Sequence, residues 1–321
     1  METAVLFLVF NRPETTRRVF AAIKAAAPAR LYVAADGPRA GRPDDQKRCK
    51  EAREIAAAVD WPCSVKTLFR EKNLGCRVAV STAIDWFFEC EEQGIILEDD
   101  CLPDASWFPF ASEMLARFQN EERVMCISAS HFHGANHQPE YSYFFSRYNH
   151  CWGWATWRRA WQHYDKEMEA WPQLRNTGWL LTMGGGTRLF SHYWSSIFDL
   201  AHEGKKIDSW AYRWTFSCWT REGLTVLPAR NLVTNIGFGV DATHTTRTST
   251  ESGTPGLERI AFPLRHPTAV IRDEWADRWT DRHVFGISAL AITRRNIEKI
   301  PLVHALMASL SSIRSALRGR P

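Results

Sequence analysis

Glu98, Asp99 and Asp100 stand side by side directly after a short apolar run, Gly94-Ile95-Ile96-Leu97, and directly before Cys101-Leu102-Pro103-Asp104. A buried strand that ends in three adjacent carboxylates carries charge repulsion, which a cation at the strand's mouth relieves. A divalent metal holding a diphosphate supplies that charge, because magnesium and manganese take one or two carboxylates together with phosphate oxygens. The carboxyl end of a strand in an α/β sheet is where such a ligand binds. A solvated acidic turn is the other reading of the same residues.

The elements that would position these carboxylates are legible upstream. Residues 4–10, Ala-Val-Leu-Phe-Leu-Val-Phe, predict a buried strand closed by Asn11-Arg12-Pro13, before a helix carrying Val19, Phe20 and Ile23. A second strand, Leu31-Tyr32-Val33-Ala34-Ala35, ends at Asp36-Gly37-Pro38, and a helix from about Asp44 to Val59 stops at Trp61-Pro62. Val65 to Phe69 predicts a third strand, Asn73-Leu74-Gly75 its exit loop, and Val78 to Glu91 a third helix. The fourth strand then ends in the acidic triplet. Strands alternating with helices in this way predict an α/β chain with a parallel sheet and right-handed crossovers, whose strand ends share one edge. Asn11, Arg12, Asp36, Asn73 and Glu98 to Asp100 are thereby expected to converge on one crevice.

The ordered set of motifs resembles a known family. Asn11-Arg12-Pro13 after the first strand, Asp36-Gly37 after the second, Asn73-Leu74-Gly75 before a long helix and Glu98-Asp99-Asp100 after the fourth strand look like the nucleotide-diphosphosugar glycosyltransferases of the GT-A fold. That fold is a Rossmann-like, mixed, mainly parallel sheet flanked by helices. Within the group the chain is most similar to bacterial family 2 sugar transferases of the haemolysin-like sort, and more distantly to the N-acetylglucosaminyltransferase that starts complex N-glycans. Trp152-Gly153-Trp154-Ala155-Thr156-Trp157, Asp208-Ser209-Trp210, Asn235-Ile236-Gly237-Phe238-Gly239 and Ala242-Thr243-His244 extend the resemblance over roughly residues 4 to 246.

The resemblance implies a metal-dependent, inverting transfer of a sugar from a nucleotide-diphosphate donor, a UDP-sugar for preference, to a glycan or lipid-linked acceptor in bacterial surface polysaccharide synthesis. It implies sugar-donor binding by Phe10, Asn11, Arg12, Asp36, Asn73, Glu98 and Asp99, with Asp36 at the uracil or ribose edge and Glu98 at the sugar. Asp100 and His244 would hold Mn²⁺ or Mg²⁺, and Asp208 would be the catalytic base. Many relatives carry a second aspartate three residues later, where this chain has Ala211. In such a transfer one carboxylate takes the acceptor hydroxyl's proton while positive charge stabilises the leaving diphosphate.

Each residue also has a plainer reading. Asp208 precedes Trp210, Trp214 and Cys218 at helical spacing, as a helix N-cap does. Asp36 before Gly37-Pro38 suits a turn, and a single histidine in a Thr-rich loop such as His244 is a weak metal signal. Gly184-Gly185-Gly186-Thr187-Arg188-Leu189 looks like the phosphate loop of sugar nucleotidyltransferases, an alternative function. In those enzymes, however, the loop follows the first strand, and here the glycines suit a lead-in to a helix carrying Leu189, Phe190, Tyr193, Trp194 and Ile197. The 15 tryptophans offer ring faces for sugars, so a non-catalytic carbohydrate-binding module is a further alternative, as is hydrolysis of the nucleotide sugar. Trp154, Trp157 and Trp161 repeat at helical intervals and predict a buried stripe on a helix starting near Gly153.

The 321 residues, 45% of them apolar, are enough for a sizeable core. They read as a catalytic domain over 1–246, with a nucleotide-binding half (1–104) and an acceptor-binding half (105–246), followed by 247–321 as a flexible loop and a C-terminal helical extension. Eight scattered cysteines predict free thiols in a reducing compartment, and the short apolar N-terminus lacks a basic leader, so a cytoplasmic location is expected. A net charge of +4 gives no case for nucleic acid. Residues 300–320 combine Leu302, Val303, Leu306, Met307, Leu310 and Ile313 with Arg314, Arg318 and Arg320. Such a basic amphipathic helix packs on its domain or at a homodimer interface, or else makes peripheral contact with the anionic inner face of the cytoplasmic membrane.

Overall fold

A computed structural model describes residues 1–204, 207–237 and 256–288. His244, most of the Thr-rich loop and the 300–320 segment lie outside the described residues. The chain divides into two compact units, one made of Met1–Glu169 and Leu200–Asp277, the other of Ala170–Asp199 and Arg278 onward.

The first unit opens as its apolar runs predict. β1 (Ala4–Val9), α1 (Pro13–Ala26), β2 (Arg30–Ala35), α2 (Pro43–Ala57), β3 (Ser64–Phe69), α3 (Gly75–Cys90) and β4 (Gln93–Glu98) alternate along the chain. β1 pairs in parallel with both β2 and β4, and β2 with β3. All six residues of β1 are buried, as a central strand covered on both faces requires. β3 closes this side of the sheet and is largely exposed, which suits its Lys66 and Thr67. Gly94 is required where β4 begins, since a Cβ there would lie 2.3 Å from the Phe87 ring and 2.9 Å from the Ala4 carbonyl.

β5 (Cys101–Pro103), α4 (Trp107–Arg117), β6 (Val124–Ser128), β7 (Tyr143–Ser146) and β8 (Trp154–Trp157) follow. After the short α5 (Arg158–Trp161), α6 (Trp171–Leu174) and α7 (Trp179–Met183) come α8 (Arg188–Glu203), α9 (Trp210–Thr220), β9 (Leu224–Pro228), β10 (Val233–Asn235) and α10 (Glu274–His283). Among the described residues eight strands form one sheet in the order β3-β2-β1-β4-β8-β6-β9-β7, mixed and mainly parallel, flanked by helices. β5 and β10 form a separate antiparallel ribbon.

The tryptophan repeat corrects one expectation. Trp154 to Trp157 is a strand inserted antiparallel between β4 and β6, with every residue buried. A four-residue run buried on both faces carries no period that separates strand from helix. Trp161, on α5, meets Trp154 at 6.1 Å between ring centroids, so tertiary packing brings together the rings that a helical stripe would have aligned. Trp107, Trp154, Trp171, Trp194, Trp214 and Trp219 are fully buried, so their rings are core and offer no sugar-stacking face.

The glycine run precedes α8, which carries Leu189, Phe190, Tyr193, Trp194 and Ile197, as expected of a helix lead-in. All eight cysteines are free thiols. No helix of the described residues is long and apolar enough to cross a membrane.

Candidate active site

Sheet register places the predicted residues at one edge. Leu8 is level with Glu98 and Val9 with Ala35, so the exits Phe10-Asn11-Arg12, Asp36 and Asp99-Asp100 leave neighbouring strands at the same height. The cation that three adjacent acids demand is present in the chain itself. Arg12 Nη2 lies 2.5 Å from Asp99 Oδ1, and its Nη1 donates to Asp100 Oδ2 at 2.8 Å. The Phe10 backbone N–H donates to the other Asp99 oxygen at 3.1 Å.

One guanidinium does not neutralise three acids. Burial, then the Asp100 charge, push the Glu98 carboxyl up to about 8, with Arg12 opposing. Asp99, 2% exposed, is raised to about 6 by burial, again with Arg12 opposing. Burial also works against the Arg12 charge, but Asp99 and Asp100 outweigh it and raise its pKa. The edge therefore sets three acids against one guanidinium, and burial favours the protonated forms of Glu98 and Asp99.

The ribbon walls this cluster. Ile236 N donates to the Asp100 carbonyl at 2.8 Å, and Gly237 N to Asn235 Oδ1 at 2.9 Å. Gly237 then lies against the ion pair so closely that a Cβ would stand 2.6 Å from both Arg12 Nη1 and Asp100 Oδ2. This accounts for the Asn235-Ile236-Gly237 motif.

Asp36 has a different environment from Asp100. Its Oδ1 accepts from Gly37 N and Leu74 N at 2.8 and 2.9 Å, and its Oδ2 from Asn73 Nδ2, Leu74 N and Gly75 N at 2.9, 3.1 and 3.2 Å. The opening N–H groups of α3 have no partner within the helix, and Leu74 at its cap supplies no side-chain bond, so Asp36 caps α3 from another loop. Gly37 permits the approach, since a Cβ there would stand 2.3 Å from the Lys72 carbonyl carbon. Asn73 closes the clasp with a second bond, to the Gly37 carbonyl at 2.9 Å.

Asn11 points to a residue that sequence reasoning missed. Its Nδ2 donates to Asp45 Oδ1 at 2.8 Å, and Arg39 grips Asp45 through Nε and Nη2 at 2.6 and 3.0 Å. The Arg39 hydrogen bonds, with Asn11 assisting, hold the buried Asp45 carboxyl down at about 2. The Arg39 guanidinium also covers the Phe10 ring, 5.4 Å from its centroid. The available signal was Asp45 in the first turn of a helix beginning at Pro43.

Asp208 is not a helix cap. α9 starts at Trp210 with Ser209 in the cap position and no side-chain capping bond. Instead Arg77 Nε donates to Asp208 Oδ1 at 3.0 Å, and Asp208 Oδ2 lies close enough to Gly75 to sit 3.2 Å from a Cβ placed there. Arg77 and Cys76, on the first turn of α3, are additions to the predicted set. Burial pushes the Cys76 thiol up to about 12, assisted by Glu98, Asp208 and Asp100 and opposed by Arg12. Cys76 thus lies within electrostatic reach of both the triplet and Asp208, which links the two acidic groups around one thiol.

The carboxylate oxygens here suit Mg²⁺ or Mn²⁺, which need only one or two carboxylates beside phosphate oxygens. Asp100 Oδ1, contacted by the Cys101 thiol at 3.4 Å, is the oxygen outside the Arg12 pair and fits that use.

No protein-family model matches the chain, and no curated protein matches it. Solved structures that it resembles include mouse xyloside xylosyltransferase 1 in its apo form, at 10% identity over 68% of this chain and 82% of that one, with a TM-score of 0.32. HddC from Yersinia pseudotuberculosis matches at 9% identity over 51% and 80%, TM-score 0.30. A UDP-glucose pyrophosphorylase complexed with UDP-glucose matches at 13% identity over 46% and 62%, TM-score 0.24. Likeness at this level assigns no activity.

Proposed function

We propose that the carboxyl edge of the sheet binds a nucleoside-diphosphate sugar and that the chain transfers the sugar, with inversion, to a hydroxyl of a glycan or lipid-linked acceptor. The observation that carries this reading is the Arg12–Asp99–Asp100 cluster at the exits of β1 and β4, with Asp208 held separately by Arg77. A charged cluster at the carboxyl ends of parallel strands is where α/β sheets bind phosphorylated ligands.

In this reading Arg12 binds the diphosphate and Asp100 presents Oδ1, the oxygen outside the Arg12 pair, to Mn²⁺ or Mg²⁺, with His244 as the further ligand. A bound divalent ion would supply Lewis-acid stabilisation of the leaving diphosphate. Phe10, Asn11, Asn73, Glu98 and Asp99 line the sugar-donor side. A carboxylate offers about four lone-pair sites, and Asp36 already accepts from four N–H donors, those of Gly37, Asn73, Leu74 and Gly75. Its service to the nucleotide is therefore to hold Asn73-Leu74-Gly75 in place. Burial favours the protonated form of Glu98, which can donate a hydrogen bond to a sugar hydroxyl. Asp208, about half exposed and oriented by Arg77, takes the proton of the acceptor hydroxyl as it attacks the anomeric carbon.

The test is a screen of nucleotide sugars with purified protein, reading nucleoside diphosphate release with and without acceptor. Release that requires acceptor supports transfer, and release without it indicates hydrolysis. A nucleotidyltransferase would instead liberate pyrophosphate from a sugar phosphate and a nucleoside triphosphate. A binding module would turn over neither.

A further inference from the structure

His131, His133 and His137 lie on the connection between β6 and β7, and each offers a ring nitrogen, all within 4.8 Å of one another. The ring centroids are 5.2 Å apart for His131–His133 and for His133–His137, and 6.1 Å for His131–His137. His131 is 1% exposed, and neither of its ring nitrogens has a hydrogen-bond partner. Nδ1 of His137 is likewise buried without one. A buried imidazole nitrogen left in this state forfeits its hydration with no return, so native proteins rarely leave several together.

The far side of the cluster is well supplied. The Ala276 carbonyl, at 3.0 Å, can only accept, which puts the proton of His133 on Nε2 and leaves Nδ1 basic. Asp273 Oδ2 holds Nε2 of His137 at 2.8 Å in the same way. A carbonyl or carboxylate behind the ring is the arrangement that orients metal-ligating histidines and raises their basicity. An ion pair between His137 and Asp273 would explain that one contact, but it leaves both nitrogens of His131 unexplained. Phe144 packs 4.5 Å from His137, and Trp275 stacks on it at 5.3 Å with ring planes 14° apart, so the cluster has an apolar wall. Beside burial, the neighbouring His133 and His137 and the Arg230 charge all disfavour a protonated His131, while Asp273 pairs with His137.

We propose that His131, His133 and His137 bind a zinc ion that pins the β6–β7 connection to residues 273–276, a site separate from Asp100 and independent of the proposed transfer. Three neutral imidazoles without an oxygen ligand select zinc and its late first-row neighbours over magnesium and manganese. Three protein ligands also leave a fourth position for water. Ligand nitrogens around tetrahedral zinc stand about 3.4 Å apart, so the rings must draw together by roughly an ångström on binding.

The experiment uses the full-length chain without a histidine tag, stripped of metal. Cobalt(II) should give the intense visible bands of a four-coordinate site, and zinc should displace it at one equivalent and raise the melting temperature of the wild type. Asp273→Asn keeps an acceptor behind His137 but removes its charge, and should weaken zinc binding by about 10–100-fold. Asp100→Ala should leave it unchanged. His131→Gln with His137→Gln should abolish the cobalt bands. Absence of those bands in the wild type overturns the proposal without recourse to any variant, and so does undiminished one-equivalent zinc binding by the double variant.

Discussion

Arg77 donates its Nε to Asp208 at 3.0 Å, tying the first turn of α3 to the residue two places before α9. The pair is exposed enough that its contribution to stability is small, since surface ion pairs contribute about 0–1 kcal/mol. Its geometric effect is larger, because it orients one carboxylate oxygen and leaves the other beside Gly75. Asp208→Asn should therefore leave melting temperature and nucleotide affinity near wild type while lowering acceptor-dependent turnover by about 10²–10⁴-fold. Turnover within a few-fold of wild type would place the base elsewhere.

Arg12→Gln should cost about 3–5 kcal/mol of stability near pH 7.5, because it strands two carboxylates whose shared counter-charge is gone. The loss should shrink by pH 5. Asp99 titrates near 6 even with Arg12 present, and protonation removes the charge that needs compensation. Chemical denaturation at the two pH values reads the difference directly.

Asp36→Asn separates holding a loop from touching a nucleotide. The substitution turns one acceptor into an NH₂ group facing the Asn73 amide or the N–H groups of Leu74 and Gly75, so stability should fall by about 1–3 kcal/mol. A variant that melts with the wild type but no longer binds nucleotide would show that Asp36 contacts the ligand directly.

Asp45 supplies a pH signature. Its folded-state value, about 2, lies below the ordinary 3.8, so it contributes stability that is fully present above pH 4 and lost as pH falls towards 2. With Arg39 44% exposed and partly screened, the contribution is about 1–2 kcal/mol. Asp45→Asn should be destabilised by that amount at neutral pH, and urea midpoints for variant and wild type should converge as the pH is lowered towards 2.

The edge on which Asn11, Arg12, Asp36, Asn73 and the triplet gather was legible because parallel βαβ units leave all their strands' carboxyl ends on one side. Partners within that edge were not. Arg12 answers Asp99 and Asp100, and Arg77 answers Asp208, across spans that only the folded sheet closes. Asp45 and Arg39 were hidden for a related reason, since a polar helix start reads as solvated until Asn11 is seen to reach it. The strand at Trp154–Trp157 was misread because tertiary burial on both faces erased its alternation. The histidines at 131, 133 and 137 went unread, because their chemistry depends on Asp273 and Ala276 from far along the chain.

The pairing of β5 with β10 also bears on when the protein becomes competent to bind. The strand that follows the triplet finds its partner about 130 residues later, a loop whose closure is entropically costly and late. At ribosomal speed that interval is roughly ten seconds. Throughout it the emerging polypeptide carries all three acids and Arg12, yet it lacks Ile236 and Gly237 to wall them. On the proposed function, affinity for a charged ligand would be deferred until the second half of the sheet has been synthesised.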